Sequence, residues 1–191
     1  HSIIKERKLR SIQSIPGDKN EFLIKVWDQL SNTYFSKYQI QQLSDQAKII
    51  ASSKGKTSIL IKSRKNLIEI FIFTSNQPGL FFKTVQSFEN LSIETIDSDI
   101  HTTNDGLYAL NTFICKHKVL GGNLIQRDIQ NIQKKIIAAI DSETPKSAAK
   151  AKTKTKKVFE YQTKVRITDS SIKTISLITL ETLDKPNLLS E

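Results

Sequence analysis

The sequence predicts an α+β fold, and three observations carry that expectation. Residues 67–73 alternate with a period of two, Asn104-Asp105-Gly106 separates two β-prone runs, and Ile125, Ile129, Ile132, Ile136 and Ile140 recur at helical spacing within a polar stretch. The chain has 191 residues, 38% hydrophobic and 25% charged, an ordinary globular composition that argues against wholesale disorder.

Residues 1–57 read as helical. Leu23, Val26, Trp27 and Leu30 recur at helical spacing after the start signal Pro16-Gly17-Asp18, and Ile40, Leu43, Ala47 and Ile50 repeat the pattern after Ser36. Two helices are expected there. Residues 52–57 are small and polar and break the pattern, and residues 58–62 form a short β-prone run.

In residues 67–73, Ile68, Ile70 and Ile72 share one face, while Leu67, Phe71 and Phe73 share the other with Glu69. A strand apolar on both sides is central or has its second face covered. Asn76-Gln77-Pro78-Gly79 ends it, and Phe81, Val85 and Phe88 start a helical stripe that runs to Leu91. Residues 93–102 and 107–116 form the expected antiparallel pair around Asn104-Asp105-Gly106, whose residues tolerate positive φ. The isoleucine stripe then predicts an amphipathic helix that ends near Thr144, before Pro145.

Residues 146–157 contain only Lys, Ser, Ala and Thr and cannot bury enough apolar surface to offset ordering, so a loop is expected. Phe159, Tyr161, Thr163, Val165 and Ile167 then alternate with polar residues as a half-buried strand would. The order from 67 to 167 is β-α-β-β-α-β, the ferredoxin-like arrangement. A shift of 108 residues lays Ile178 on Ile70, Thr182 on Thr74, Asp184 on Asn76, Pro186 on Pro78 and Leu188 on Leu80. A second copy of the unit is therefore expected to begin near the end of the chain. The expected organisation is 1–57, a helical segment; 58–170, one complete unit with a lysine-rich loop at 145–157; and 171–191, the start of another.

Charge divides unevenly. Twenty-nine basic and nineteen acidic residues give +10; residues 146–157 hold six of those charges and residues 1–10 a net three, leaving a body of about +1. The lysine tract could release counterions from nucleic acid, but no aromatic or arginine interleaves it to stack bases, so a solvated loop is preferred and nucleic acid is not the expected partner. The single cysteine cannot form an intrachain disulfide, no secretory signal is visible, and no apolar run approaches the ~20 residues that span a bilayer. A cytoplasmic setting without membrane partners is expected.

The strand-turn-helix elbow is the first candidate for chemistry. Asn76 and Asp184 are good N-caps, Pro78 and Pro186 pre-set φ, and Gly79 lets the backbone approach a ligand, but on residue chemistry alone a tight helix entry with no ligand is the preferred reading. Asp97-Ser98-Asp99 has the i, i+2 spacing of metal-holding carboxylates, but the Gly-Ser that would precede such a pair on a helix is missing, so structural carboxylates are expected. His1, His101 and His117 are scattered, and Cys115 reads as a buried thiol. No catalytic residue and no metal site are expected.

The run Thr74-Ser75-Asn76-Gln77-Pro78-Gly79-Leu80-Phe81, with Ile96-Asp97, Thr102-Thr103-Asn104-Asp105-Gly106 and Tyr108-Ala109-Leu110-Asn111-Thr112-Phe113, resembles the first ACT domain of the bifunctional protein-PII uridylyltransferase/uridylyl-removing enzymes. The stretch from Leu180 to Leu189 resembles the start of their second ACT domain, and residues 27–43, with Tyr34-Phe35, the helical segment before the pair. The resemblance implies a glutamine-sensing regulatory region. Its parent would attach UMP from UTP to the PII signal protein through a Mg2+-dependent nucleotidyltransferase domain and remove it through an HD domain, neither of which is in this sequence. It also implies ligand-binding roles for Asn76, Gln77, Pro78, Gly79, Leu80 and Phe81 and for Asp184, Lys185, Asn187 and Leu188, with no cofactor in this segment. Asn187 stands where that family has glycine and Asn111 where it has aspartate. Pairing of ACT units within or between chains is expected from Phe71 and Phe73, which suggest a bare sheet face. Alternatives are an ACT module of another amino-acid-controlled enzyme and a basic nucleic-acid-binding domain.

Overall fold

A computed structural model describes residues 2–13, 15–142, 164–169 and 176–181. The lysine tract and the second elbow, with Asp184, Lys185, Asn187 and Leu188, lie outside the described residues. The chain divides into two units, His1–Pro145 and Lys146–Glu191.

The first unit opens with four helices, α1 (Ser2–Ile12), α2 (Gly17–Asp28), α3 (Asn32–Lys37) and α4 (Ile40–Ser53). The two expected helices are α2 and α4; α1 and α3 were not foreseen. The six residues of α3 are too few to display a helical period. In α1 the inward positions Ile4, Arg7, Lys8, Ser11 and Ile12 include two charged residues and a serine, so its apolar stripe is faint. Arg7 holds α1 to the end of α3, donating Nε to Phe35 O at 2.7 Å and Nη2 to Tyr38 O. A charged group thereby serves carbonyls that have no partner within their own helix.

Strands β1 (Ser58–Arg64) and β2 (Leu67–Ser75) follow as a hairpin, then α5 (Leu80–Asn90), β3 (Ile93–Thr102), β4 (Tyr108–His117) and α6 (Gln126–Ile140). The sheet is antiparallel throughout, in the order β1-β2-β4-β3. This is the expected α+β architecture with one correction. The fourth strand of this sheet is β1, where the β-α-β-β-α-β order expected one from 159–167: the two-residue turn Lys65–Asn66, with Lys65 at φ 52°, folds β1 directly onto β2. Backbone groups on both sides of β2 are thus paired by β1 and β4. In the second unit, β5 (Lys164–Asp169) pairs antiparallel with β6 (Ser176–Glu181), Val165 opposite Leu180. Of the expected strand at 159–167, residues 164–167 fall within β5, paired with β6, and residues 159–163 lie outside the described residues.

Both faces of the central strands β2 and β4 are covered. Ile68, Ile70, Ile72, Phe113 and Cys115 pack with Leu80 and Phe88 of α5 and with Ile132, Ile136 and Ile140 of α6. Phe71, Phe73 and Leu110 pack on the other side with Trp27, Tyr34, Phe35, Leu43 and Ile50 of the helical segment. The bare face expected behind Phe71 and Phe73 is thus closed by the chain's own helices, which removes the reason given for pairing through it. α6 ends at Ile140, four residues before the expected stop. The loop ahead of it holds Gly122 so tightly that a Cβ there would lie 1.9 Å from Lys65 O, an approach only glycine permits.

Candidate functional site

The elbow between β2 and α5 is built by three sets of hydrogen bonds. Asn76 was expected to cap α5, but it faces the β3–β4 turn instead: its backbone N–H donates to Leu107 O at 2.8 Å and its Nδ2 to Gly106 O at 3.0 Å. The cap position is occupied by Gly79 in left-handed conformation, φ 74°, with no side-chain cap. Proline at 78 and positive φ at 79 form the turn, which Leu80 N–H closes onto Gln77 O at 3.2 Å. A Cβ on Gly79 would meet nothing within 4 Å, so the turn's backbone stands open to approach.

Gln77 turns inward to the end of α6. Its Nε2 donates to Ile140 O at 3.0 Å, and its Oε1 accepts from Lys83 Nζ at 3.4 Å. Lys83 also donates to Ile140 O at 3.3 Å and to Ser142 O at 2.6 Å, although its side chain is almost wholly buried. The arrangement is physically coherent. The last carbonyls of a helix have no partner inside it and carry the negative end of its dipole, so a buried ammonium finds there the acceptors that its desolvation demands. Nearby, Thr57 Oγ1 donates to Asp141 Oδ1 at 2.6 Å and lies 2.8 Å from Thr74 Oγ1, tying the same helix end to β1 and β2.

Of the six residues expected at this elbow, Asn76, Pro78 and Gly79 are exposed, Gln77 and Phe81 are half-buried, and Leu80 belongs to the core beneath α5. The structure brings Gln77 into a polar constellation and leaves Phe81 packed toward Phe113, ring centroids 6.3 Å apart. Sequence reasoning missed Lys83. The signal was present, because Lys83 follows the inward Leu80 by three positions and precedes the inward Ser87 by four, placing a lysine on a buried stripe.

A second polar cluster lies on the opposite sheet face. Asp99 accepts from Tyr38 Oη at 2.5 Å, lies 2.6 Å from Lys37 Nζ and is 2.9 Å from His101 Nε2; Tyr38 Oη is also 3.0 Å from Thr112 Oγ1. Burial raises the Asp99 carboxyl, but hydrogen bonds from Lys37, Tyr38 and His101 outweigh it and hold the group below its usual range. Burial and the neighbouring Asp99 hold the Tyr38 phenol well above its ordinary value. Asp97 is exposed and accepts from Ser98 N–H, and a bulge at Ile96 separates its stretch from the register of Thr95. Asp97 and Asp99 thus have different environments, one exposed and the other taken up by Lys37, Tyr38 and His101. Among the described residues no cluster of three or more His, Cys, Asp or Glu could hold a metal ion.

His117 Nδ1 accepts the N–H groups of Val119 and Leu120 at 3.2 Å and shapes the loop after β4. Cys115 is buried, and burial pushes its thiol up to about 12, away from the thiolate needed for nucleophilic attack. Among the described residues no helix is long and apolar enough to cross a membrane.

No family model matches the chain, and no solved structure matches it. Curated relatives do. A bifunctional uridylyltransferase/uridylyl-removing enzyme of Haemophilus influenzae is 26% identical over 170 residues, covering 87% of this chain and 19% of the relative. That of Psychrobacter arcticus is 24% identical over 184 residues, covering 88% and 20%, and that of Burkholderia lata is 21% identical over 201 residues, covering 99% and 23%. The chain spans about a fifth of the length of these relatives, and a fragment of such an enzyme fits the match.

Proposed function

We propose that this chain is the glutamine-sensing ACT region of a bifunctional enzyme that attaches uridylyl groups to the PII signal protein and removes them. The observation that carries the reading is the elbow, in which an open glycine turn leads into α5 while Gln77 and Lys83 lock the same turn to the end of α6. A small polar ligand arriving there meets backbone on one side and fixed donors and acceptors on the other. The reach of the similarity supports the same reading, since it covers the helical segment as well as the sheet.

The activities themselves, the Mg2+ that uridylyl transfer would use and the contact with PII belong in this proposal to other parts of the parent. The chain's own work is to bind an amino acid better in one conformation than in another, because only such a difference can shift a distant equilibrium. A cytoplasmic setting is part of the proposal.

Thermal melting of the 191-residue chain with increasing L-glutamine tests it. A ligand at one hundred times its Kd adds about 2.7 kcal/mol to native stability and raises Tm by several degrees. Glutamine should do so while glutamate and asparagine do not. A shift with a different amino acid alone would assign the chain to another amino-acid-controlled enzyme, and salt-sensitive retention on RNA with no amino-acid response would replace the sensor reading by nucleic-acid binding.

A further inference from the structure

We infer that Lys83, with Ile140 O, forms a seat for a primary carboxamide, and that Gln77 occupies this seat as an internal stand-in which free glutamine displaces. The inference rests on the glutamine-sensing reading and names the part of the elbow that recognises the side chain.

A primary carboxamide is bound specifically when its C=O meets a donor that cannot accept and its NH2 meets an acceptor that cannot donate. The seat offers both. Lys83 Nζ, a donor only, is 3.4 Å from Gln77 Oε1, and Ile140 O, an acceptor only, is 3.0 Å from Gln77 Nε2. These two partners also fix the orientation of the Gln77 amide, since turning it over would set NH2 against ammonium and oxygen against carbonyl. Lys83 is held in place independently of Gln77 by Ser142 O at 2.6 Å and Ile140 O at 3.3 Å, so the seat persists when Gln77 leaves it. Gln77 is half-buried and is flanked by exposed Asn76 and Pro78, so the stand-in lies at the border of solvent and can swing out.

Discrimination follows from the same chemistry. Glutamate would pair with Lys83 through charge, but it brings a carboxylate oxygen to the position where glutamine brings the N–H that Ile140 O accepts, so it forfeits that bond. The self-occupied seat also sets the working range of the sensor. Apparent affinity falls by the fraction of molecules whose seat is free, so an internal competitor moves the response to higher free glutamine.

The test is calorimetric titration of L-glutamine into the full 191-residue chain, its Gln77→Ala variant and its Lys83→Met variant, with circular dichroism confirming that each is folded. Removal of the stand-in should tighten glutamine binding about tenfold in Gln77→Ala, the gain that an open fraction near one tenth implies. Lys83→Met should lose binding. Gln77→Glu gives a second reading: its carboxylate pairs with the Lys83 ammonium by a charge-assisted hydrogen bond and is a stronger stand-in than the amide, so this variant should bind glutamine more weakly than wild type. Glutamine binding that is unchanged or weakened in Gln77→Ala would overturn the stand-in while leaving glutamine sensing intact. No binding to wild type or to Gln77→Ala would overturn the sensor reading and the seat together.

Discussion

The two faces of the four-stranded sheet are both buried at its central strands, yet they are built on different chemistry. Toward α5 and α6 the sheet presents Ile68, Ile70, Ile72, Phe113 and Cys115, an almost unbroken apolar surface. Toward the helical segment it presents Phe71, Phe73 and Leu110 beside Glu69, Thr112, Asp99 and His101, and the helices answer with Gln42 Nε2 on Glu69 at 3.1 Å and with Lys37 and Tyr38 on Asp99. Apolar contact is non-directional and supplies cohesion, whereas a buried carboxylate with several donors is satisfied in only one arrangement. The first face joins its elements chiefly by burial, with polar ties gathered at the end of α6; the second also specifies where the helical layer docks.

The largest effects should come from the aromatic residues of each face. Phe113→Ala and Phe73→Ala should each cost about 3–5 kcal/mol in urea unfolding, the usual range for a fully buried phenylalanine. They should differ in location. Amide exchange should rise in α5 and α6 for Phe113→Ala, and in α2 and α4 for Phe73→Ala. Equal loosening of both layers in both variants would break the distinction between the faces.

Next comes Asp99. Asp99→Asn should cost about 1–2 kcal/mol at pH 7, because Lys37 and Tyr38 lose the charge they serve while the site stays partly open to solvent. The folded carboxyl titrates below its unfolded value of about 3.9, so its contribution is complete above that pH and disappears as pH falls through the folded value. Melting between about pH 5 and pH 2 should therefore be less pH-dependent in Asp99→Asn than in wild type. The phenols of Tyr34 and Tyr38 have the opposite sign. Raised in the folded chain by burial, they hold full stability below about pH 10 and lose it above, and Tyr38→Phe should remove part of that alkaline loss.

Smaller still is Gly79→Ala, at about 1 kcal/mol, from its positive φ and without a clash. Removing the exposed pair between Glu21 and Lys25 by Glu21→Ala should leave Tm unchanged, which marks the floor of the series.

Much of this could be read from residues alone, and the parts that could not share a physical cause. The alternation of Ile68, Ile70 and Ile72 against Phe71 and Phe73 announced a strand apolar on both sides, though not that the chain's own helices cover the second, and Gly106 at φ 73° turns the β3–β4 hairpin as Asn104-Asp105-Gly106 implied. Partner choice was not visible. Residues 58–64 and 159–167 are both credible neighbours for β2, and the selection depends on a Lys-Asn turn whose lysine does not advertise positive φ. At the elbow, the turn residues were legible because proline and glycine have narrow conformational meanings. The destinations of Asn76 and Gln77 were not, because hydrogen bonds spanning 30 and 63 positions depend on where Gly106 and Ile140 come to rest. The place of Lys83 on a buried stripe was readable, but its partners at the end of α6 were not.

Amide hydrogen exchange of the full chain with and without saturating L-glutamine bears most directly on the central claim, that the β2–α5 elbow and not the charged face is where an amino acid is felt. Protection should increase across residues 76–84 and 138–142 and stay unchanged at 37–38 and 99–101. Protection confined to the Asp99 cluster, or absent from the elbow while glutamine is bound, would contradict it.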